Sequence, residues 1–279
     1  MAKRFFNLEK ETKEYLKACD AKSIVNQTNI KTLNDFVINR KTRNLNTTFL
    51  ANSPIVLNNL VYWLDASNTE SYPTFGRTWR DLTERNLNTA ISLDTPFDNL
   101  HKGRLYFQGT SGSTSIGKIA TFPRWTELNL STSFTISVWF SFTRVSPGFY
   151  DFLFACESYL NRGFRSGLQS GTNKIGFFSS QSGGNFSHIT NYAATLNTIF
   201  NYTITFNVNT GVTYINGAFD KQTTGTFVSP NASDGFYYNY VGGGFKSDSY
   251  VSAIQMYNRA LTAPEVLQNY NAMKGRFGL

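Results

Sequence analysis

Histidine and cysteine are nearly absent from this sequence, with two of each among 279 residues. His101 and His188 stand far apart and neither has a neighbouring cysteine, so the usual zinc-holding side chains do not cluster, and each histidine is expected to be an ordinary surface or loop residue. Cys19 and Cys156 fall in regions of different character. That excludes a disulfide framework as the basis of the fold and leaves two buried thiols as the expectation. No apolar run approaches the roughly 18 residues of a membrane span, and the opening MAKRFFNLEKETKEYLKACD has cations without a following apolar stretch. Neither a membrane segment nor a secretory leader is expected.

Paired acids are missing too. A retaining glycosidase sets two carboxyl groups about 5 Å apart, which on one strand means alternate positions. Beyond residue 53 no two acidic residues are spaced that way; the nearest groupings are Asp81 with Glu84 and Asp94 with Asp98, in loop-like sequence. No nucleophile elbow is present, and the glycines of YVGGGFK and QSGGNF are followed by neither a helix nor a Lys-Ser pair, so they read as turns. The chain is expected not to be an enzyme and to need no cofactor.

What the sequence does have is aromatic residues, 25 Phe and 15 Tyr, with only 16% charged residues. Such a composition suits strands packed on a large core. From residue 53 onward short β-branched and aromatic runs recur between Gly, Asn, Ser and Pro clusters: LVYWLDA, RLYFQG, SFTISVWFSF, FLFAC, KIGFF, NYTITFNV, GVTYING and YVSAIQMYN. In SFTISVWFSF the period of two sends Phe134, Ile136, Val138, Phe140 and Phe142 to one face and Thr135, Ser137, Trp139 and Ser141 to the other, one half-buried face per strand. Turns are expected at Asn209–Gly211 and at Asn216–Gly217. Near the end, Thr262 and Glu265 form a capping box and Leu261 and Val266 a hydrophobic staple. They start a helix with a Val266, Tyr270 and Met273 stripe, stopped by Gly275, that covers an edge or end of the sandwich. The fold expected is an all-β antiparallel sandwich of jelly-roll type closed by a C-terminal helix.

Residues 1–52 differ. They carry ten Lys and Arg against five Asp and Glu, which is most of the net charge of +8. Leu8, Tyr15, Leu16 and Cys19, then Ile30, Leu33, Phe36 and Val37, recur with helical period, with Thr28 as an N-cap. Short helices with thin apolar stripes are marginal alone, so 1–52 reads as a helical anchoring segment and 53–279 as the sandwich. Lys3, Arg4, Phe5 and Phe6 are the anchoring candidates, since paired aromatics beside cations favour a partner surface over water.

The pieces LVYWLDASN with SYP, TWRDLTERNLN, RLYFQG, FTISVWFSF, YINGAFD, YVGGG and VSAIQMYNRALTAPEVLQNYNAMKGRFGL stand in an order that resembles the laminin-G-like domains of the concanavalin A-like lectin/glucanase group, over residues 55–279. The ending NRALTAPEVLQNYNAMKGRFGL and the stretch TNIKTLNDFVINRKTRNLNTTFLANSP are similar to segments of tailed-phage virion proteins. The resemblance implies a virion structural protein, such as a capsid decoration, collar or fibre component. It would display a lectin-like domain on the particle, contact other virion proteins and self-associate, without membrane or nucleic-acid partners. The alternative is a carbohydrate-binding adhesin for host or environmental polysaccharide. It also implies that Trp79 lies in the core, and that Asp65 and Asp81 either cap turns or offer loop oxygens to a calcium ion. The ligand-contacting candidates are Trp125, Tyr192, Tyr237, Tyr238 and Tyr240. Consecutive aromatics in FYYNY cannot all face inward from a strand, so at least one of Tyr237 and Tyr238 is expected outside, against a glycan or another protein.

Overall fold

A computed structural model describes residues 55–91, 95–100, 103–107, 120–144, 150–157, 163–169, 171–181, 184–231, 235–238 and 248–279. The expected N-terminal helices, the anchoring residues Lys3, Arg4, Phe5 and Phe6, and Tyr240 lie outside these residues.

Two antiparallel sheets of eight strands each, numbered along the chain, face one another. The first holds β1 (Leu60–Asp65), β4 (Phe97–Asp98), β5 (Arg104–Phe107), β7 (Ser133–Arg144), β12 (Phe200–Asn207), β13 (Thr210–Ile215), β14 (Ala218–Thr224) and β16 (Asp248–Tyr257). Its order is β14-β13-β12-β7-β16-β5-β4, with β1 on the other stretch of β16. The second holds β2 (Thr78–Trp79), β3 (Thr89–Ala90), β6 (Ala120–Arg124), β8 (Tyr150–Glu157), β9 (Gly163–Gln169), β10 (Lys174–Gln181), β11 (Gly184–Ala193) and β15 (Gly235–Tyr238), in the order β11-β10-β9-β8-β15-β6-β3-β2.

The alternation of β7 places Phe134, Ile136, Val138, Phe140 and Phe142 in the core between the sheets. Phe134 stacks on Phe164 of β9 at 5.7 Å and on Phe206 of β12 at 5.6 Å, so facing sheets share one aromatic layer. Full burial of each such ring is worth about 1.5–3 kcal/mol. Trp79 and Cys156 are fully buried.

The opposite face of β7 departs from expectation. Thr135, Ser137, Trp139 and Ser141 are buried as well; the C-terminal helix α1 (Ala263–Lys274) and the 3-10 turn Gly275–Phe277 lie over Trp139, and Ser137 bonds to Asn201 and Thr203 of β12. Trp139 stacks on Tyr270 at 5.6 Å and on Phe277 at 4.3 Å. Thr135 spends its hydroxyl on the chain that leads into the helix, donating to the Arg259 carbonyl and accepting from Leu261 N–H. Asn269, which the stripe did not include, is buried. It accepts from Val56 N–H at 2.8 Å and donates to the Tyr257 hydroxyl at 2.9 Å, while Tyr257 donates to the Val56 carbonyl. Three distant segments are thereby tied into one polar knot.

The capping box forms as expected: the Glu265 carboxylate accepts from Thr262 N–H at 2.8 Å and from its hydroxyl at 3.0 Å. Arg259 grips the same carboxylate with two bonds, and that guanidinium holds the Glu265 carboxyl down at about 2. The α-helix ends at Lys274, but Gly275 keeps a right-handed conformation and the left-handed residue is Gly278 at φ 75°.

The Asn216–Gly217 turn has both residues at positive φ, 51° and 75°, as a tight hairpin requires. A Cβ on Gly217 would also meet the Tyr270 ring at 3.0 Å, so the glycine lets the helix approach. The other turn falls one residue earlier than expected, on Val208–Asn209, and puts the β-branched Val208 at φ 56°.

Candidate functional site

Among the described side chains, the candidates Trp125 and Tyr192 have different ring neighbours. Trp125 is a correction: it is 4% exposed, and its ring packs among Phe134, Phe164 and Phe227. The chain after β6 turns back through Leu128 N–H to the Arg124 carbonyl, which carries the indole inward. Tyr192 is half-buried against Phe200 at 5.4 Å on the rim of the core, and burial raises its phenol. Tyr237 and Tyr238 lie on β15 between β6 and β8, Tyr237 registered with Thr121 and Ala155 and Tyr238 with Ala120 and Phe154.

Asp65 and Asp81 hold turns. Asp81 accepts from the N–H groups of Trp63, Thr83 and Leu87 and from the Thr83 hydroxyl, and burial still raises its carboxyl. Asp65 accepts from Ser67 and is paired with Arg276 at 2.6 Å. Among the described residues no three His, Cys, Asp or Glu side chains group closely enough to hold a metal ion. His188 is a further correction, since it is wholly buried, not on a loop or the surface. In β11 it alternates inward with Phe186 and Thr190, a strand hidden by the glycines before it.

A different pair of tyrosines forms the candidate site. In β5, Leu105 and Phe107 point into the core, which sends Arg104 and Tyr106 to the outer face. On the neighbouring β16, Tyr250 is registered directly with Tyr106, and the two half-buried rings lie 4.8 Å apart at 40°. Such pairing gives about 0.5–1.5 kcal/mol beyond burial. The Arg104 guanidinium sits 3.6 Å over the Tyr250 ring and donates from Nε and Nη2 to Asp98 Oδ2, at 2.9 and 2.6 Å. At the other side Arg144, almost half exposed, donates to Asp248 at 2.8 Å. Desolvation, then the Asp248 carboxylate, raises the Tyr106 phenol. The buried hydroxyl of Ser141, registered with Tyr250, has no hydrogen-bond partner among the described residues.

An aromatic pair between two arginine–aspartate pairs can stack on a planar or apolar ring face and exchange hydrogen bonds at its rim. RLYFQG and YVSAIQMYN are legible as strands, and their outward positions carry Arg104, Tyr106 and Tyr250. The alternation of RLYF already contained that signal.

Residues 114–267, more than half of the chain, match a laminin G-type family model described as concanavalin A-like lectin/glucanases superfamily. The chain belongs to this superfamily. Among solved structures the lectin-like domain resembles the binding domain of Paraclostridial mosquitocidal protein 1, with a TM-score of 0.62 and 18% identity over 77% of this chain and 52% of that one. The botulinum neurotoxin type G receptor-binding domain gives 0.57 and 15% over 76% and 51%. The binding domain of botulinum neurotoxin DC, in complex with rat synaptotagmin II, gives 0.60 and 14% over 77% and 52%. The lectin-like domain thus spans about half the length of these neighbours, and at such identities the likeness shows the fold. No curated protein is similar enough to count as a relative.

Proposed function

We propose that this chain is a non-catalytic, carbohydrate-binding surface component of a tailed-phage particle, with the outward tyrosine pair as its glycan contact. The observation that carries the binding half is the Tyr106–Tyr250 pair set between two ion pairs on the outer face of the first sheet. A pyranose lays its apolar C–H face on an aromatic ring, and its vicinal hydroxyls accept from a guanidinium and donate to a carboxylate. Each arginine here is balanced by an aspartate, so the local charge is near zero and the ligand class is a neutral glycan.

The non-catalytic half is supported by how the carboxylates are engaged. Asp65, Asp98, Asp248 and Glu265 are each bound to an arginine, and Asp81 is filled by turn donors. Structural neighbours named as binding and receptor-binding domains support the same use of the fold. The virion half rests on the sequence likeness of the C-terminal segment to tailed-phage structural proteins, with the basic leader as the part that docks on other virion proteins or further copies.

The test is retention of the full chain on immobilised neutral polysaccharides, with acidic polysaccharides in parallel. Retention on a neutral polymer that survives added salt and is lost in Y106A supports the reading. Retention on no polymer, or equal retention of Y106A, contradicts it. A variant lacking residues 1–43 should keep its β-rich circular dichroism and fail to enter particles; normal incorporation contradicts the docking role.

A further inference from the structure

Along one margin the two sheets meet through hydrogen bonds in which side chains take part. There β11, the last strand of the second sheet, lies along β14, the last strand of the first. His188 of β11 reaches across with both ring nitrogens, Nδ1 to the Thr223 hydroxyl at 2.8 Å and Nε2 to the Thr213 hydroxyl at 2.9 Å. Asp220, at the bulge of β14, accepts from the N–H groups of Asn191 and Tyr192 at 3.0 and 2.9 Å. Lys221 donates to the Ile189 carbonyl at 2.8 Å. Behind this polar row lies the aromatic layer: the His188 ring is parallel to Phe186, and Phe186 meets Phe206 at 4.8 Å.

The row as it stands matches a neutral imidazole. One nitrogen must donate and the other accept, so each threonine hydroxyl plays a complementary part. A protonated ring donates twice. The threonine that had donated to it must then turn its proton away; for Thr213 the Asp220 carboxylate and the Lys221 carbonyl lie 3.3 and 3.4 Å off as acceptors. The charged groups facing the ring are Lys221, which opposes the new charge, and Asp220, which favours it. On its own strand the neighbouring titratable group is Tyr192. β13 adds Tyr214 at the position next to Thr213, and β10 adds Lys174, registered with Ala193 at the far end of the pair.

We propose that His188 is an acid-sensitive latch on this margin: its protonation loosens the β11–β14 seam and opens one edge of the sandwich while the central strands stay closed. Burial and Lys221 push the imidazole down to about 4, which keeps the latch shut at neutral pH. The Tyr106–Tyr250 site is carried by β5 and β16, not by the seam strands, so the latch stands or falls separately from glycan binding.

Hydrogen exchange of the full chain at about pH 7 and about pH 4, corrected for intrinsic rates, tests it. Protection in 184–193 and 218–224 should fall by about tenfold or more at the lower pH, while 133–142 and 200–207 keep theirs. In H188Q, whose amide still donates and accepts, that fall should disappear; in D220N it should remain. Equal protection of the wild-type seam at both pH values overturns the latch, and so does a fall that persists in H188Q. If H188Q does not fold, the wild-type imidazole signal decides: seam protection must fall as pH drops from about 6.5 and level off below the imidazole's titration midpoint, and a fall confined to pH values below that midpoint overturns the proposal.

Discussion

Two groups of aromatic side chains sit on opposite faces of the first sheet and do opposite things. On the inner face Phe134 and Phe206 pack against Phe164 and Phe177 of the facing second sheet, without a polar atom among them, and close the sandwich. On the outer face Tyr106 and Tyr250 form an equally close pair, yet they stay half-exposed between Arg104–Asp98 and Arg144–Asp248. Ring chemistry does not separate the two groups. The charges at the rim do, because an ion pair at the surface keeps its solvation and prevents a second layer from burying the tyrosines. Elsewhere on the outer face Trp139 took the other course, covered by Tyr270 of α1 and by Phe277.

The largest effect separating the two groups is expected from the inner one. Phe134→Ala should lower unfolding free energy by about 3–5 kcal/mol, read by urea denaturation, because the surrounding rings cannot all collapse into the gap. A loss below about 1 kcal/mol would mean that the inner layer is not the tight stack described. Next comes acid. His188 titrates at about 4 in the folded chain against an ordinary 6.5, so the unfolded chain takes up the proton first. Its contribution is therefore full above about pH 6.5 and is lost as pH falls toward 4, amounting to at most about 3 kcal/mol. The pH dependence of unfolding should flatten over that window in H188Q.

Asn269→Ala sharpens the contrast from the side of the covered outer face. It strands the Val56 N–H and removes a partner of Tyr257, which should cost about 1–3 kcal/mol. An unchanged melting temperature would show that α1 is not pinned through this knot. Smaller and opposite in sign is Val208→Gly. Relieving a β-branched residue at positive φ should raise stability by about 1 kcal/mol, less the entropy that glycine adds to the unfolded chain.

Much of the inner group was legible in the sequence, because period two in SFTISVWFSF is enforced by the pleat itself. So was the capping box, since Thr262 and Glu265 act within one turn. The outer group was less legible because its character depends on what lies above it. Thr135 looks like a solvent position until the segment leading into the C-terminal helix, 126 residues later, bonds to it, a distance set by tertiary packing. Trp125 misled for the same reason: a loop tryptophan reads as exposed, but this loop caps the open end of the core. His188 was hidden by glycine-rich flanks that masked a strand. Tyr106 and Tyr250 are adjacent only through the β5–β16 register, which no local pattern announces.

The most direct test of the division between the two groups is glycan binding by Tyr106→Ala and Tyr250→Ala in the full chain, measured beside thermal unfolding on a neutral polysaccharide that retains the wild type. Each substitution should cost about 1 kcal/mol of stability or less and reduce affinity by about tenfold or more. Undiminished affinity in both variants would contradict the assignment of the outer pair as the ligand contact.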